Sequence, residues 1–565
     1  MSTSTESVTP RKRKRSSSPA ASATVAPPKH IPASIKDGEE YTWPAPASAL
    51  KDAERFIYQC ATAGEKVLLV PDKDADGLSA GVILYRTLRA LGLDESLLQV
   101  HLMSKGNHPG APAERAAMQN YGARYIVVLD QGSREGPALV DGAEHGWDWE
   151  KEDDASDLRG QGSSSRSASP PRVHTMVLDH HFLSNPLRGG PRGALLVNAS
   201  HSEPVATTAL LTWHICRPLL TRPARQGGVG LSDEEAGNLI DWLCLIGTMG
   251  DLGISVKWDP PFPDMKAQIK RWSKKKLGTA IALLNAPRRT PAFDTITAWR
   301  VLLHSDSPAT IADGLAPATS TGAPSSSSSS SKPALPSTFP QDLARLFAAR
   351  EAVAAETERC THTPPKFSRD GRIALLRIRS AFQVHPGIAT RWSGTLRGAK
   401  KLQAVMCAND GYSGEAGAAD QEGGNGGLDG KRTGALTHFS CRIAQAAKAR
   451  GEDPNLIELL HDYAARDPAF LSDLKAATED SSFDDVEPEP HGNGEPARVS
   501  VGNFARGHRQ ASGGIIPHDF FERFVALMEI GVAPEPGSAG SSPKKSKKGA
   551  GPAQKNVLTN YFKKA

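Results

Sequence analysis

The sequence predicts an α/β fold: a mostly parallel sheet covered on both faces, and a second, smaller α/β domain joined to it by a flexible linker. Three observations predict it. Short apolar runs, Val67-Leu68-Leu69-Val70, Ile126-Val127-Val128-Leu129 and Thr175-Met176-Val177-Leu178, read as strands buried on both faces. Amphipathic stretches that read as helices alternate with them, at 49–60, 78–91, 205–219 and 234–249. Each run also delivers acids or imidazoles at its carboxyl end: Asp72, Asp74 and Asp76 after the first, Asp130 after the second, Asp179-His180-His181 after the third.

In open α/β sheets that edge is where ligands collect. Carboxylates crowded there repel one another unless a cation or a proton neutralises them, so the economical reading is a metal site. Taken alone, the alternating acids equally fit a calcium loop or an ordinary acidic turn. It is their recurrence at successive strand ends, with Asp251 closing the last helical stretch, that favours a catalytic cluster. Hard carboxylates mixed with imidazole suit Mn²⁺ or Mg²⁺, whereas a closed zinc site calls for cysteine or more histidine.

Composition narrows the class. Lys and Arg number 67 against 62 Asp and Glu, and the excess sits in the tails, at Arg11-Lys12-Arg13-Lys14-Arg15 and Lys544-Lys545-Ser546-Lys547-Lys548. The 6 cysteines are scattered with no CxxC pair, which favours a reducing compartment. No window approaches the roughly 18 apolar residues of a membrane span, so no membrane association is expected.

In chain order, residues 1–44 form a disordered basic tail that fits a nuclear-localisation pattern, placing the protein in the nucleus. Residues 45–304 make the first domain, with a short strand at 194–197 and a polar insertion at 134–172. A Ser/Pro-rich linker follows at 305–338, with an unbroken serine run at 325–331. The second domain is 339–532, with strands at 372–377 and 402–407, helices at 455–465 and 520–530, and insertions at 411–434 and 476–498. Residues 533–565 form a second disordered tail.

Asp72, Asp74 and Asp76, then Asp130, Asp179-His180-His181 and Asp251 resemble, in order and strand context, the four signature motifs of the DHH phosphoesterase superfamily. The form of the first motif is similar to that of the RecJ branch. The pyrophosphatase branch has a His four residues before its first metal-binding Asp, and Val70 holds that place here. The resemblance implies a hydrolase with two divalent metal ions, Mn²⁺ or alternatively Mg²⁺. Asp74, Asp76, Asp130, His180 and Asp251 would be metal ligands, with Asp130 the bridge; Asp72 and Asp179 would orient ligands or water, and His181 would sit by the scissile phosphate.

In the second domain, Arg506-Gly507-His508-Arg509-Gln510-Ala511-Ser512-Gly513 is similar to the GGHxxAxG loop of a DHHA1 domain, with Arg506 in place of the first Gly. Ser440-Cys441-Arg442 resembles its S-x-R element. The resemblance makes Ser440, Arg442, Gly507 and His508 substrate-binding. At the end of the chain, Leu558, Tyr561 and Phe562 have the spacing by which replication and repair proteins dock on the sliding clamp PCNA. The Gln expected at the head of that motif is out of register, because Lys555 fills its slot and Gln554 lies one residue early.

Together these features are read as a nuclear, RecJ-like exonuclease for single-stranded DNA, acting in replication or repair by two-metal hydrolysis. Two alternatives stay open. One is a phosphodiesterase for short oligonucleotides, like the nanoRNase branch; the other is a non-catalytic replication factor like the Cdc45 relatives of RecJ. Nothing in these residues separates RNA from DNA.

Overall fold

The computed structural model describes residues 42–143, 172–183, 189–222, 230–314, 336–396, 400–412, 436–478 and 504–532. The basic cluster at 11–15, the serine run and the terminal Leu558, Tyr561 and Phe562 lie outside them. The chain divides into two compact units, one running to Arg350 without Arg289–Pro291, the other made of those three residues and the remainder. Among the described residues, no helix is long and apolar enough to cross a membrane.

The first unit opens with α1 (Ala47–Thr62), β1 (Val67–Pro71), α2 (Ala75–Ala90), β2 (Leu98–Val100), α3 (Pro112–Tyr121), β3 (Tyr125–Leu129), β4 (His174–Asp179) and β5 (Ala194–Asn198). The five strands form one sheet in the order β2-β1-β3-β4-β5, parallel throughout. Alternation along each strand sends side chains to two apolar layers. Leu69, Val127, Met176 and Val197 face one, and Leu68, Val70, Ile126 and Val177 face the other. Both faces are therefore covered, which is why these strands read as continuous apolar runs.

Helices α4 (Thr208–Thr221) and α5 (Asp233–Leu252) pack against α2, whose residues from Ala75 to Leu88 are all buried. Small residues make this burial feasible: a Cβ on Gly81 would lie 2.8 Å from the Trp299 ring. The α5 start is fixed by a reciprocal capping box between Ser232 and Glu235. Then follow α6 (Lys266–Trp272), α7 (Lys274–Asn285), α8 (Thr295–His304), α9 (Pro308–Asp313) and α10 (Phe339–Thr361).

Three sequence expectations are corrected here. The insertion expected at 134–172 begins with folded chain: Ala138, Leu139, Val140 and Ala143 are buried in the second apolar layer, and Gly136 bridges Pro191. The linker expected from residue 305 begins later. Ser305 and Ile311 are buried, and α9 is capped by Ser307 at one end and by left-handed Gly314 at the other. The second domain, expected from 339, likewise starts later. Phe339, Leu343 and Leu346 join the first unit's core, and Arg300 makes a two-pronged contact with the buried Asp342 at 3.0 Å.

The second unit holds β6 (Lys366–Phe367), β7 (Ile373–Ile378), α11 (His385–Thr395), β8 (Ala404–Asn409), β9 (Leu436–Ile443), α12 (Gln445–Ala449), α13 (Leu456–Ala464), α14 (Phe470–Thr478), β10 (Arg506–His508), β11 (Ala511–Pro517) and α15 (His518–Leu527). Its six-stranded sheet runs β10-β11-β9-β8-β7-β6, with only β7 and β8 parallel. Aromatic residues dominate its core, where Phe439, Phe470, Phe504 and Phe524 meet ring to ring.

Candidate metal centre

The acids at the carboxyl edge of the parallel sheet converge. Beyond β1 the chain bends at Lys73 and Asp74, and Asp72 and Asp74 each bring a carboxylate oxygen within 4.8 Å of the other and of Asp130. Asp74 is the N-cap of α2 and accepts from the backbone N–H of Asp76 and Gly77. Gly77 is required by the close turn, since a Cβ there would lie 2.7 Å from the Asp72 backbone. Asp76 falls on the first helical turn and is buried. Its carboxylate receives the backbone N–H of Thr208 at 2.8 Å and of Ala209 at 3.0 Å, at the positive end of α4.

Asp130, just past β3, has φ 63°, a left-handed conformation that Asp tolerates better than most residues. This turn is what aims its buried carboxylate at the first motif. One oxygen accepts from the Thr208 hydroxyl at 2.9 Å and stands 3.2 Å from His180 Nε2. The same imidazole nitrogen lies 3.8 Å from Asp76 and 4.0 Å from Asp251. Asp251 sits in the last turn of α5, where a carboxylate opposes the helix dipole and so calls for a counter-cation.

Two groups of potential ligand atoms, each within 4.8 Å of one another, emerge: Asp130 with His180 and His181, and Asp72 with Asp74 and Asp130. Asp130 belongs to both. Asp72, expected from its motif to orient ligands or water, thus stands within ligand reach itself. Lys73 holds one of its oxygens at 2.8 Å, and Arg288 approaches Asp74 at 3.5 Å.

Asp179 plays a different part. It is buried and accepts from the backbone N–H of Ser133, His180 and His181 and from His181 Nδ1 at 2.8 Å. Burial alone would raise its pKa, but the paired His181 and these donors hold it below the usual carboxylate range. In return, the Asp179 charge and hydrogen bond outweigh desolvation and push His181 up to about 9. The imidazole is therefore a cation at neutral pH, with 45% of its side chain open to solvent.

The remaining acids show what the cluster lacks. Burial, then Asp251 and Asp74, push Asp76 up to about 8, and burial with four neighbouring carboxylates raises Asp130 well above its ordinary value. Asp74 is instead lowered: burial would raise it, but Arg288, the Gly77 N–H and Lys73 prevail. Without another cation, the buried pair must hold protons. Hard oxygen donors, one imidazole and uncompensated buried charge fit divalent cations such as Mn²⁺ or Mg²⁺.

A sign follows for pH. Asp76 has a folded pKa raised from about 3.9 toward 8, so the metal-free fold loses stability as pH rises through that window. Asp179 is lowered, and its contribution is lost only in acid, below the unfolded carboxylate range. Mn²⁺ should therefore raise the melting temperature more at pH 8 than at pH 5.5. It should release about one to two protons on binding at pH 7, measurable by calorimetry in buffers of different ionisation enthalpy. Binding without proton release would contradict the buried, protonated pair.

Gly247 on α5 gives a second test. A Cβ there would stand 2.3 Å from the Ala209 Cβ and 2.8 Å from Asp76 Oδ1. Gly247→Ala should displace Asp76 or α4 and weaken Mn²⁺ binding about 10- to 100-fold, read by titration calorimetry. Unchanged affinity would remove Asp76 from the site.

The second unit places its expected site residues on neighbouring strands. Ser440 pairs with Gly513 and Arg442 with Ala511 across β9 and β11, while Gly507 pairs with Ser512 in the hairpin of β10 and β11. Arg442 Nη1 donates to the Ser440 hydroxyl and to the Cys441 carbonyl, each at 2.8 Å. Gly507 has φ 110°, and a Cβ there would meet the Ala511 carbonyl oxygen at 2.5 Å, so only glycine fits. His508 is placed by its backbone alone, opposite Ala511.

Sequence reasoning missed Thr208, Asn285 and Arg288. Thr208 holds both Asp76 and Asp130, and the Asn285 side chain accepts from the Ala75 N–H and from Arg288 Nε. The Thr207-Thr208 pair is a readable helix-cap signal, but its carboxylate partners are fixed only by packing.

No family model matches the chain, and no curated protein matches it. Among solved structures, it is similar to the exonuclease RecJ bound to manganese, at 16% identity over 85% of this chain and 93% of that one, TM-score 0.42. It is also similar to RecJ in complex with Mn²⁺ from Thermus thermophilus, at 16% identity, 85% and 54% coverage and TM-score 0.43. A further similar structure is CDC45 from Entamoeba histolytica, at 8% identity, 85% and 98% coverage and TM-score 0.34.

Proposed function

We propose that this protein is a metal-dependent phosphodiesterase of the DHH kind, holding two divalent cations, Mn²⁺ by preference, and acting on single-stranded nucleic acid as a RecJ-like exonuclease. The observation that carries the reading is Asp130, whose buried carboxylate belongs to both groups of ligand atoms at the sheet edge. Asp72, Asp74 and Asp130 would hold one cation; Asp130, His180, Asp76 and Asp251 the other. When bound, such a pair supplies Lewis acidity toward the phosphoryl oxygens and an activated water.

The chain's own residues supply the rest. Thr208 and the α4 backbone N–H groups fix Asp76 and Asp130 before any ligand arrives. Asp179 orients the His181 ring through Nδ1 and keeps it charged, so His181 Nε2 can donate to a phosphate oxygen or to the leaving group. No side-chain nucleophile is required.

Purified protein with Mn²⁺ should be tested on single strands labelled at the 5′ or the 3′ end and graded in length, with DNA and RNA in parallel. Progressive loss from the 5′ end of long strands supports the exonuclease, and cleavage confined to short pieces supports an oligonucleotide phosphodiesterase. Absence of metal-dependent cleavage contradicts both.

Residence in the nucleus and docking on PCNA through Leu558, Tyr561 and Phe562 extend the proposal from sequence alone. Exclusion of the tagged full-length protein from the nucleus would contradict the first. Calorimetric titration of the last fifteen residues against PCNA, with no heat at high concentration, would contradict the second.

A further inference from the structure

We propose that Phe182 is a stacking platform for the nucleobase beside the scissile phosphate, so that the centre selects esters carrying a base over phosphoesters without one. The inference rests on the phosphodiesterase reading above and names its substrate class. Phe182 directly follows His181, whose side chain is 45% open to solvent. It is 62% exposed. A single exposed aromatic is ordinary on a protein surface, so exposure alone decides nothing.

What distinguishes this ring is its backing and its address. It lies nearly parallel to His201, with centroids 5.8 Å apart and planes 21° apart. His201 is itself fixed, because its Nε2 lies 2.5 Å from the Leu183 carbonyl oxygen. The backbone just before Phe182 is pinned as well. The Asn198 amide donates to the His181 carbonyl at 3.0 Å and to the Ser133 hydroxyl at 2.9 Å. One face of the Phe182 ring is thus supported by a second ring while the side chain remains largely open to solvent.

Neighbouring Cα atoms are about 3.8 Å apart. The backbone thus sets Phe182 beside His181, and the proposal is that its open face turns toward the base joined by a sugar to the phosphate that His181 would contact. A sugar phosphate or an inorganic polyphosphate has no flat face to offer it. A base does, and base–aromatic stacking contributes about 1–3 kcal/mol, roughly 5- to 150-fold in kcat/KM.

The test uses the full chain with Mn²⁺ and two single strands that differ only at the cleaved terminal nucleotide, one with a base and one with an abasic tetrahydrofuran residue. Wild type should prefer the base-bearing strand roughly 5- to 150-fold. Phe182→Ala should bring that ratio to within about two-fold of one, and Phe182→Trp should preserve it. A readout free of turnover is the fluorescence of 2-aminopurine deoxyriboside 5′-monophosphate, which should be quenched by wild type and by Phe182→Trp, and not by Phe182→Ala. Equal losses on both strands in Phe182→Ala, or quenching unaffected by that substitution, would overturn the platform. If wild type cleaves neither strand, the phosphodiesterase reading fails instead, and the quenching still decides for or against Phe182.

Discussion

Asp130→Asn is expected to lower Mn²⁺-dependent hydrolysis about 10³-fold or more, corresponding to some 4 kcal/mol of lost transition-state stabilisation. Asparagine is the sharper choice than alanine. It keeps the size of the side chain and tolerates the left-handed backbone that Asp130 adopts at φ 63°, so charge alone is removed. Its amide would still meet the Thr208 hydroxyl that now donates to Asp130 at 2.9 Å. Because the carboxylate is shared by both ligand groups, the variant should also lose Mn²⁺ stoichiometry rather than merely weaken one site. Steady-state kinetics beside calorimetric titration would show it. Hydrolysis at the wild-type rate would remove Asp130 from the chemistry.

Arg86→Met should cost the metal-free protein about 4 kcal/mol. Arg86 is wholly buried in α2, about three turns along the helix from Asp76, and burial lowers its pKa to about 10. Its guanidinium donates to the carbonyls of Leu239, Leu303 and Ser305, at 2.9, 3.0 and 2.5 Å, and packs over the Trp242 ring. Methionine fills much of the volume but leaves those acceptors without a donor, and the loss of a buried hydrogen-bond partner dominates the cost. For a unit of this size the melting temperature should fall by about 10 °C. Urea unfolding would measure it, and a change under about 1 kcal/mol would mean that the carbonyls find other donors.

Much of the centre was legible because strands buried on both faces leave a period-free apolar signature and hand over to polar residues at a defined edge. That exposed Asp72, Asp74, Asp76, Asp130 and the Asp179-His180-His181 run. Which of them meet was not legible. The approach of Asp251 to His180 depends on how α5 packs on α2, and the grip of Thr208 on Asp76 depends on where α4 begins. Arg288 reaches Asp74 from a segment more than two hundred positions away.

The misread segments share one cause. Ser307-Pro308 to Gly314 is a cleanly capped helix, but composition averaged over the adjoining Ser/Pro-rich stretch hides it. Leu139 and Val140 are two apolar residues in polar company, too few to register as periodicity, yet they close one layer of the core. Averaging over a window finds long elements and loses short ones that tertiary packing stabilises.

Anomalous diffraction at the manganese edge, from crystals of this protein grown with MnCl₂, tests the central claim most directly. Two peaks are predicted, one against Asp72 and Asp74 and the other against His180, with the Asp130 carboxylate between them. No peak at the sheet edge, or a single peak that does not touch Asp130, would contradict it.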